Sequence, residues 1–398
     1  MEFLPFADLT TSPFSNSYVK KENLNKGEIF YPLIAKVCKK CFLTQIEQYE
    51  NPDKIFNEDY AYFSSYSKSW LAHCKEYADK IVGKLSLNQN SLVTEIASND
   101  GYLLQFFKEK SIPNIGIEPT DSTAQASIAK GIHTIIKFFG INLANDLLKE
   151  FKKSDLVIGN NVIAHVPDIN DFVGGVKIIL SDQGTANFEF PHLLNLIQYN
   201  QFDTIYHEHF SYFSLYTINQ IFQHHNLMIY DVEEIKTHGG SLRIYVCHKD
   251  AKPQQNSVAK IIEEELNFGI NKEGVYLDFQ KTINSIKMDL LNNLIKFKQN
   301  NKSIVAYGAA AKGNTLLNYC GIRTDFIDYV VDANPHKQNN YMPGSRIPIV
   351  DEKKIKETKP DCILILPWNI KEEVAEQLSY TKAWGCKLFV AVPEFLEI

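Results

Sequence analysis

From residue 91 to residue 189, short apolar runs alternate with segments whose apolar positions recur at helical spacing. The runs 91–96, 114–117, 134–137, 154–159 and 184–189 predict strands, and the segments 101–110, 122–130, 141–151 and 168–180 predict the helices between them. Such alternation implies a parallel sheet covered by helices. Upstream, Trp70, Leu71, Cys74, Tyr77, Ala78 and Ile81 share one face of a helix over 67–84. Downstream, 217–225 predicts another helix, and 228–236 with 241–247 a pair of antiparallel strands. Residues 254–268 and 275–299 predict linker helices, after which strands at 303–307, 326–331, 362–366 and 387–390 form a second α/β unit. The first sixty or so residues show turn signals at Thr11-Ser12-Pro13 and from Asn23 to Gly27, and predict an irregular lobe. The expected organisation is α/β, with a small N-terminal lobe (1–66), a central domain (67–249) and a C-terminal α/β domain (250–398).

Composition narrows the partners. At 398 residues the chain exceeds one ordinary core, and 44% hydrophobic with 22% charged residues suits a globular protein. A net charge of -6 gives no reason to expect nucleic acid. No apolar run approaches membrane-spanning length, and Met1-Glu2-Phe3-Leu4-Pro5 lacks the basic start of a signal peptide. Seven cysteines in so long a chain fit a reducing cytoplasm better than a disulfide framework. A cytoplasmic monomer or weak dimer is expected.

The first strand of the central domain runs into Thr94-Glu95-Ile96-Ala97-Ser98-Asn99-Asp100-Gly101. A strand, then small residues, then a helix start is a nucleotide-type turn, since small side chains let the backbone approach a ligand. Glu118, at the end of the next strand, is placed to accept hydrogen bonds from ribose hydroxyls. The turn lacks G-x-G-x-x-G and carries an acid, Glu95, which disfavours a diphosphate. A cationic, phosphate-free nucleoside, S-adenosylmethionine, fits better. The alternative is an ordinary turn with a surface acid. Asn160, Asn161 and His165 follow the fourth strand, at the sheet end that faces the ligand crevice.

The densest chemistry is Tyr206-His207-Glu208-His209-Phe210-Ser211-Tyr212. If extended, it puts His207 and His209 on one face and turns Glu208 away. An imidazole is an efficient base near neutrality, and a carboxylate or phenol beside it can orient it or stabilise an oxyanion. The competing reading is a metal site, for which the run supplies two ligands and no evident third. In the strand that follows two glycines, Ser241 and Arg243 project to the same side; Arg243 can hold a substrate phosphate or form a structural ion pair. Gly308 to Thr315 is again strand, small residues and helix start. It suits the diphosphate of a sugar nucleotide, with Lys312 adding charge and Gly308 and Asn314 in the turn, or is a vestigial dinucleotide turn. Asp332 and Asn334 either touch a nucleoside or make a turn.

These motifs together with His238-Gly239-Gly240-Ser241-Leu242-Arg243 and Asp332-Ala333-Asn334-Pro335 resemble the sugar C-methyltransferases, over nearly the whole chain and in the family's order. The His-Glu-His and His-Gly-Gly-Ser-Leu-Arg motifs are the specific ones. The resemblance implies a zinc-binding N-terminal lobe, a class I methyltransferase (Rossmann-like) centre and a C-terminal domain that helps hold a nucleotide-linked keto-deoxysugar. It implies methyl transfer from S-adenosylmethionine to C3 of a 4-keto sugar. His209 falls on the base, Tyr206, Glu208 and His165 lie around it, and Tyr60 or Tyr62 corresponds to a tyrosine of the lobe. The implied donor site comprises Glu95, Ala97, Asn99, Asp100, Gly101, Glu118, Asn160 and Asn161.

The chain departs from the family at one point. Cys38-Lys39-Lys40-Cys41 matches the second of two C-x-x-C pairs, and no cysteine precedes it. Two thiolates cannot close a tetrahedral zinc site. Either the natural start lies further upstream, the reading favoured here, or the lobe folds without zinc. Two other readings compete with C-methylation: methyl transfer to oxygen or nitrogen of another small molecule, and a sugar-nucleotide-binding protein or oxidoreductase.

Overall fold

A computed structural model describes residues 2–51, 63–66 and 68–398. The central sheet has seven strands in the spatial order Leu227–Ile235, Ser241–His248, Leu180–Pro191, Ser154–Asn160, Val93–Ile96, Asn114–Ile117, His133–Ile135. Ser241–His248 pairs antiparallel with both its neighbours, and the remaining ladders are parallel. Successive residues of a strand face opposite sides. Val157 enters one buried cluster with Phe188 and Ile244, while Leu156 and Ile158 enter the other with Val93 and Tyr245. Both faces are therefore covered, as the continuous apolar runs require. The order of strands reverses beside Val93–Ile96, whose neighbours are Asn114–Ile117 and Ser154–Asn160. That opens a crevice at the carboxyl ends of these strands.

The C-terminal unit has a six-stranded sheet built on Ile304–Tyr307, preceded by helices Asn256–Phe268, Gly274–Leu277 and Phe279–Gln299. The strand expected over 326–331 shortens to Val330–Val331.

The irregular N-terminal lobe expected from the sequence is corrected. Phe3–Ser12, Tyr31–Cys38 and Thr44–Ile46 form an antiparallel sheet, completed by Ser211–Tyr212 of the central domain. Phe6 stacks on Phe279 at 4.6 Å between ring centres, so the lobe shares one apolar core with the C-terminal unit. The Tyr206–Tyr212 segment thus joins the lobe's sheet as soon as it leaves its turn. Among the described residues no helix is long and apolar enough to cross a membrane.

Candidate active site

A cavity of about 540 Å³ opens at the crevice and reaches the N-terminal lobe and the C-terminal unit. Its donor end begins where Val93–Ile96 stops. Ala97 and Asn99 take left-handed backbone conformations (φ 56° and 49°), winding the chain tightly back under the sheet end. Glu118 secures that turn: Oε2 accepts from the Asn99 N–H at 3.0 Å and Oε1 from the Thr120 N–H at 2.9 Å. Burial raises its pKa, against the hydrogen bonds from Thr120 and Asn99. Ala97, Asn99, Glu118, Asn160 and Asn161 all line the cavity. The Oδ1 atoms of Asn160 and Asn161 are buried without a hydrogen-bond partner. A rim of acceptors with unspent lone pairs suits a ligand rich in N–H, O–H and positive charge.

Three residues expected at the donor are placed elsewhere. Glu95 is fully buried outside the cavity lining, and burial pushes its carboxyl well above the usual range, with Asp100 and Glu118 adding to the effect. Beneath the loop it meets no ligand phosphate, so its charge is not what excludes one. Asp100 turns away to Lys130, 3.2 Å distant, and to the Ser65 hydroxyl. Gly101 is required by packing: a Cβ there would lie 2.4 Å from Ile132 Cδ1, at φ +75°.

The reaction end corrects the extended reading of 206–212. The His209 N–H donates to Tyr206 O at 2.9 Å, closing a tight turn that sends the side chains of His207, Glu208 and His209 in different directions. His207 enters the N-terminal lobe, with Nε2 donating to Pro32 O at 3.1 Å and its ring edge-on to Phe14 at 5.4 Å. Glu208 points to Asn16, whose Nδ2 donates to Oε1 at 3.2 Å. His209 faces His165, with ring centres 4.6 Å apart. With its two imidazoles parted, the run is no metal-binding face.

The Thr204 carbonyl lies 3.1 Å from His209 Nδ1 and can only accept, so that nitrogen carries the hydrogen. Nε2 is then the lone-pair nitrogen and accepts from the Tyr206 hydroxyl at 2.9 Å. Burial, and then neighbouring His165, hold the His209 pKa well below the usual value, which favours the neutral ring. Burial likewise lowers His165 to about 4 and raises Glu208 to about 7.

At the C-terminal turn, Gly308, Ala309 and Ala310 have spent their amides internally, on Val331 O, Asp332 Oδ2 and Gly308 O. Ala309 O receives the Tyr18 hydroxyl at 2.6 Å and Lys337 Nζ at 2.8 Å. Gly308 is needed because a Cβ would lie 2.6 Å from Pro367, and buried Asn314 accepts from Asn318. Neither lines the cavity. Lys312 does: Nζ donates to Asn369 Oδ1 at 2.8 Å and sits 4.6 Å from the centre of the Trp368 ring. Burial lowers its pKa to about 8, against the pull of Asp203. Ser241 and Arg243 are buried behind the cavity. The ion-pair reading of Arg243 prevails: Nη2 lies 2.8 Å from Glu189. Burial alone would raise Glu189, but His73, Arg243 and Thr237 hold it at about 2.

Sequence reasoning missed Asn16, Trp70, His238 and Lys337, all in the lining. Only His238 left a signal, as the first residue of a motif with two glycines. Tyr60 and Tyr62 lie outside the described residues.

Three family models match: a putative zinc binding domain over residues 1–56, a methyltransferase domain over 70–232 and a C-methyltransferase C-terminal domain over 236–393. C-methyltransferase NovU of Streptomyces niveus is 30% identical over 394 residues, 99% of this chain and 94% of that protein. This chain belongs to the C-methyltransferase family. It is an S-adenosylmethionine-dependent enzyme of α/β fold, and the acceptor-rich donor end fits that ligand. Among solved structures, the magnesium protoporphyrin IX methyltransferase of Synechocystis PCC 6803 with bound SAM aligns at 13% identity and TM-score 0.34, over 46% of this chain and 82% of its own. A putative S-adenosylmethionine-dependent methyltransferase of Listeria monocytogenes aligns at 13% and 0.36, over 45% and 100%. Scores this low add nothing to the assignment.

The metal implied for the lobe of this C-methyltransferase does not fit the residues present. Among the described residues no group of three or more His, Cys, Asp or Glu is placed to hold an ion. Burial would raise the Cys38 thiol, but N–H groups of Cys41 and Lys40 and the Cys41 thiol outweigh it and lower its pKa. Burial and neighbouring Cys38 raise the Cys41 thiol instead, and the two cysteines supply only two of the four ligands of a tetrahedral zinc.

Proposed function

We propose that this C-methyltransferase methylates C3 of a nucleotide-linked 4-keto-deoxysugar through an enolate. Carbon becomes a nucleophile only when a proton beside a carbonyl is removed. Bound S-adenosylmethionine supplies an electrophilic methyl group at the donor end. The observation that carries the reading is the placing of His209: it lines the cavity beside His165, with Nδ1–H fixed on Thr204 O and the Nε2 lone pair held by the Tyr206 hydroxyl.

His209 Nε2 takes the C3 proton, and the C–H electron pair spreads onto the ketone oxygen. The Tyr206 hydroxyl leaves that lone pair before Nε2 takes the proton, and in turning away it can donate to the ketone oxygen as the enolate forms. The Thr204 carbonyl, already on the Nδ1–H, steadies the imidazolium. A donor held at the donor end would give its methyl to the C3 carbanion and leave as the neutral thioether, the ketone re-forming and the proton remaining on His209. Lys312 and Lys337, at the C-terminal side of the cavity, supply positive charge for the substrate's diphosphate. Glu208 Oε2 is buried in the same lining with no hydrogen-bond partner and suits a sugar hydroxyl.

The test is incubation with a panel of nucleotide-linked 4-keto sugars and methyl-labelled donor, read by mass spectrometry and carbon NMR. A labelled methyl bonded to C3 supports the reading. A methyl on oxygen or nitrogen, or no gain with any keto sugar, overturns it.

A further inference from the structure

Among the described residues the N-terminal lobe reaches the cavity at Ser64 and, through a turn, at Asn16. The Ser17 N–H donates to Phe14 O at 3.2 Å and the Tyr18 N–H to Asn16 O at 3.0 Å, so Phe14 to Tyr18 is a closed loop. Both ends are anchored across domains. Phe14 meets His207 of the catalytic turn, and the Tyr18 hydroxyl donates to Ala309 O of the C-terminal unit. Between those anchors Asn16 lines the cavity and donates to Glu208 Oε1. Glu208 is 1% exposed, and its second oxygen is buried without a partner.

We propose that Asn16 is a positioning residue of this enzyme: its side-chain amide fixes one oxygen of Glu208, so that the other is presented to a hydroxyl of the substrate. That the hydroxyl belongs to a sugar rests on the function proposed above; the Asn16–Glu208 coupling does not. An amide is the required chemistry, because a carboxylate partner needs a donor and an aspartate there would repel it. Among the described residues, the ionisable groups that face Glu208 are Tyr18 from the lobe, Tyr212 from the strand after the turn, and His165, whose hydrogen bond is to the Glu208 backbone. Lys337 sits over the Tyr18 ring at 5.5 Å. None of these supplies a side-chain hydrogen bond as Asn16 does; the backbone N–H groups of Glu208, Asn16 and Ser15 also bear on the carboxylate and remain in any Asn16 variant.

The test reads the Glu208 carboxyl itself, by infrared difference spectra of the full chain against Glu208→Gln across pH. Asn16→Ala removes a donor to the charged form, so the Glu208 titration should move up by about one to two pH units. Asn16→Asp, nearly identical in shape, should move it up at least as far. With a sugar substrate that turns over, both changes should raise its KM about tenfold or more while S-adenosylmethionine affinity stays within about twofold. In the Glu208→Gln background, Asn16→Ala should add little further loss. A titration that stays put in both variants overturns the proposal. So does an Asn16→Ala loss that is fully additive with Glu208→Gln, which marks a structural role. Failure of every sugar to react would leave the infrared shift intact, so the two readings fail separately.

Discussion

The donor turn and the C-terminal turn are built from the same local rules and do different things. Each follows a parallel strand, and each is pinned by an acid at the end of the next strand. Glu118 accepts from the Asn99 and Thr120 N–H groups; Asp332 accepts from the Ala309 and Asn334 N–H groups. The difference lies in what surrounds the acid. Glu118 lines the cavity with Asn160 and Asn161, whose acceptors remain open. Asp332 is outside the lining, 3.6 Å from Lys337, and its turn is covered by the Tyr18 hydroxyl. We propose that the first turn cradles the donor; the second is a joint between domains that puts Ala310, Ala311 and Lys312 at the cavity.

The largest effect separating them should come from the acids. Glu118→Ala removes the carboxylate that pins the donor turn and that we propose accepts the donor's ribose hydroxyls; it should weaken S-adenosylmethionine binding by about a hundredfold or more, read by calorimetry. Asp332→Ala should change that affinity by less than about threefold. Equal losses would erase the comparison.

The second effect concerns pH. The His165 and His238 rings lie on the donor and reaction side, and burial lowers both to about 4. Their folded pKa values fall below the unfolded value of about 6.5. Between those limits the unfolded chain binds protons that the folded chain refuses. The stability they contribute is therefore complete above about 6.5 and is lost as pH falls toward 4. Thermal melts should show that loss, and His238→Asn should flatten it by up to about 2 kcal/mol. An unchanged slope would show that His238 titrates normally.

The smallest effect belongs to the C-terminal lysine. Lys312→Met should raise KM for a sugar nucleotide about tenfold and leave donor affinity nearly unchanged. A loss of donor binding instead would mean that the two ends of the cavity are not separate.

What was legible in the sequence follows from range. The parallel strands were legible because residues such as Leu156, Val157 and Ile158 are apolar on both faces. The Phe3–Ser12 strand was not, because register shifts between Pro5 and Ala7 and between Asp8 and Thr11 break its period. The chemistry of 206–212 was legible and its geometry was not: a tight turn at Tyr206 to His209 replaces the alternation of an extended run. Arg243 carried two readings until Glu189, 54 residues away, was seen beside it. Asn16 carried no signal, since its partner is 192 residues distant and its only mark is a donor aimed at a buried carboxyl.

The central claim, that His209 removes the proton at C3, is tested most directly by exchange. A nucleotide-linked 4-keto sugar is held with the enzyme and S-adenosylhomocysteine in heavy water, where no methyl can transfer, and deuterium at C3 is followed by NMR. The wild type should exchange that position. His209→Ala should lose the exchange by about a hundredfold or more while still binding donor and sugar. Exchange at the wild-type rate in His209→Ala would contradict the account.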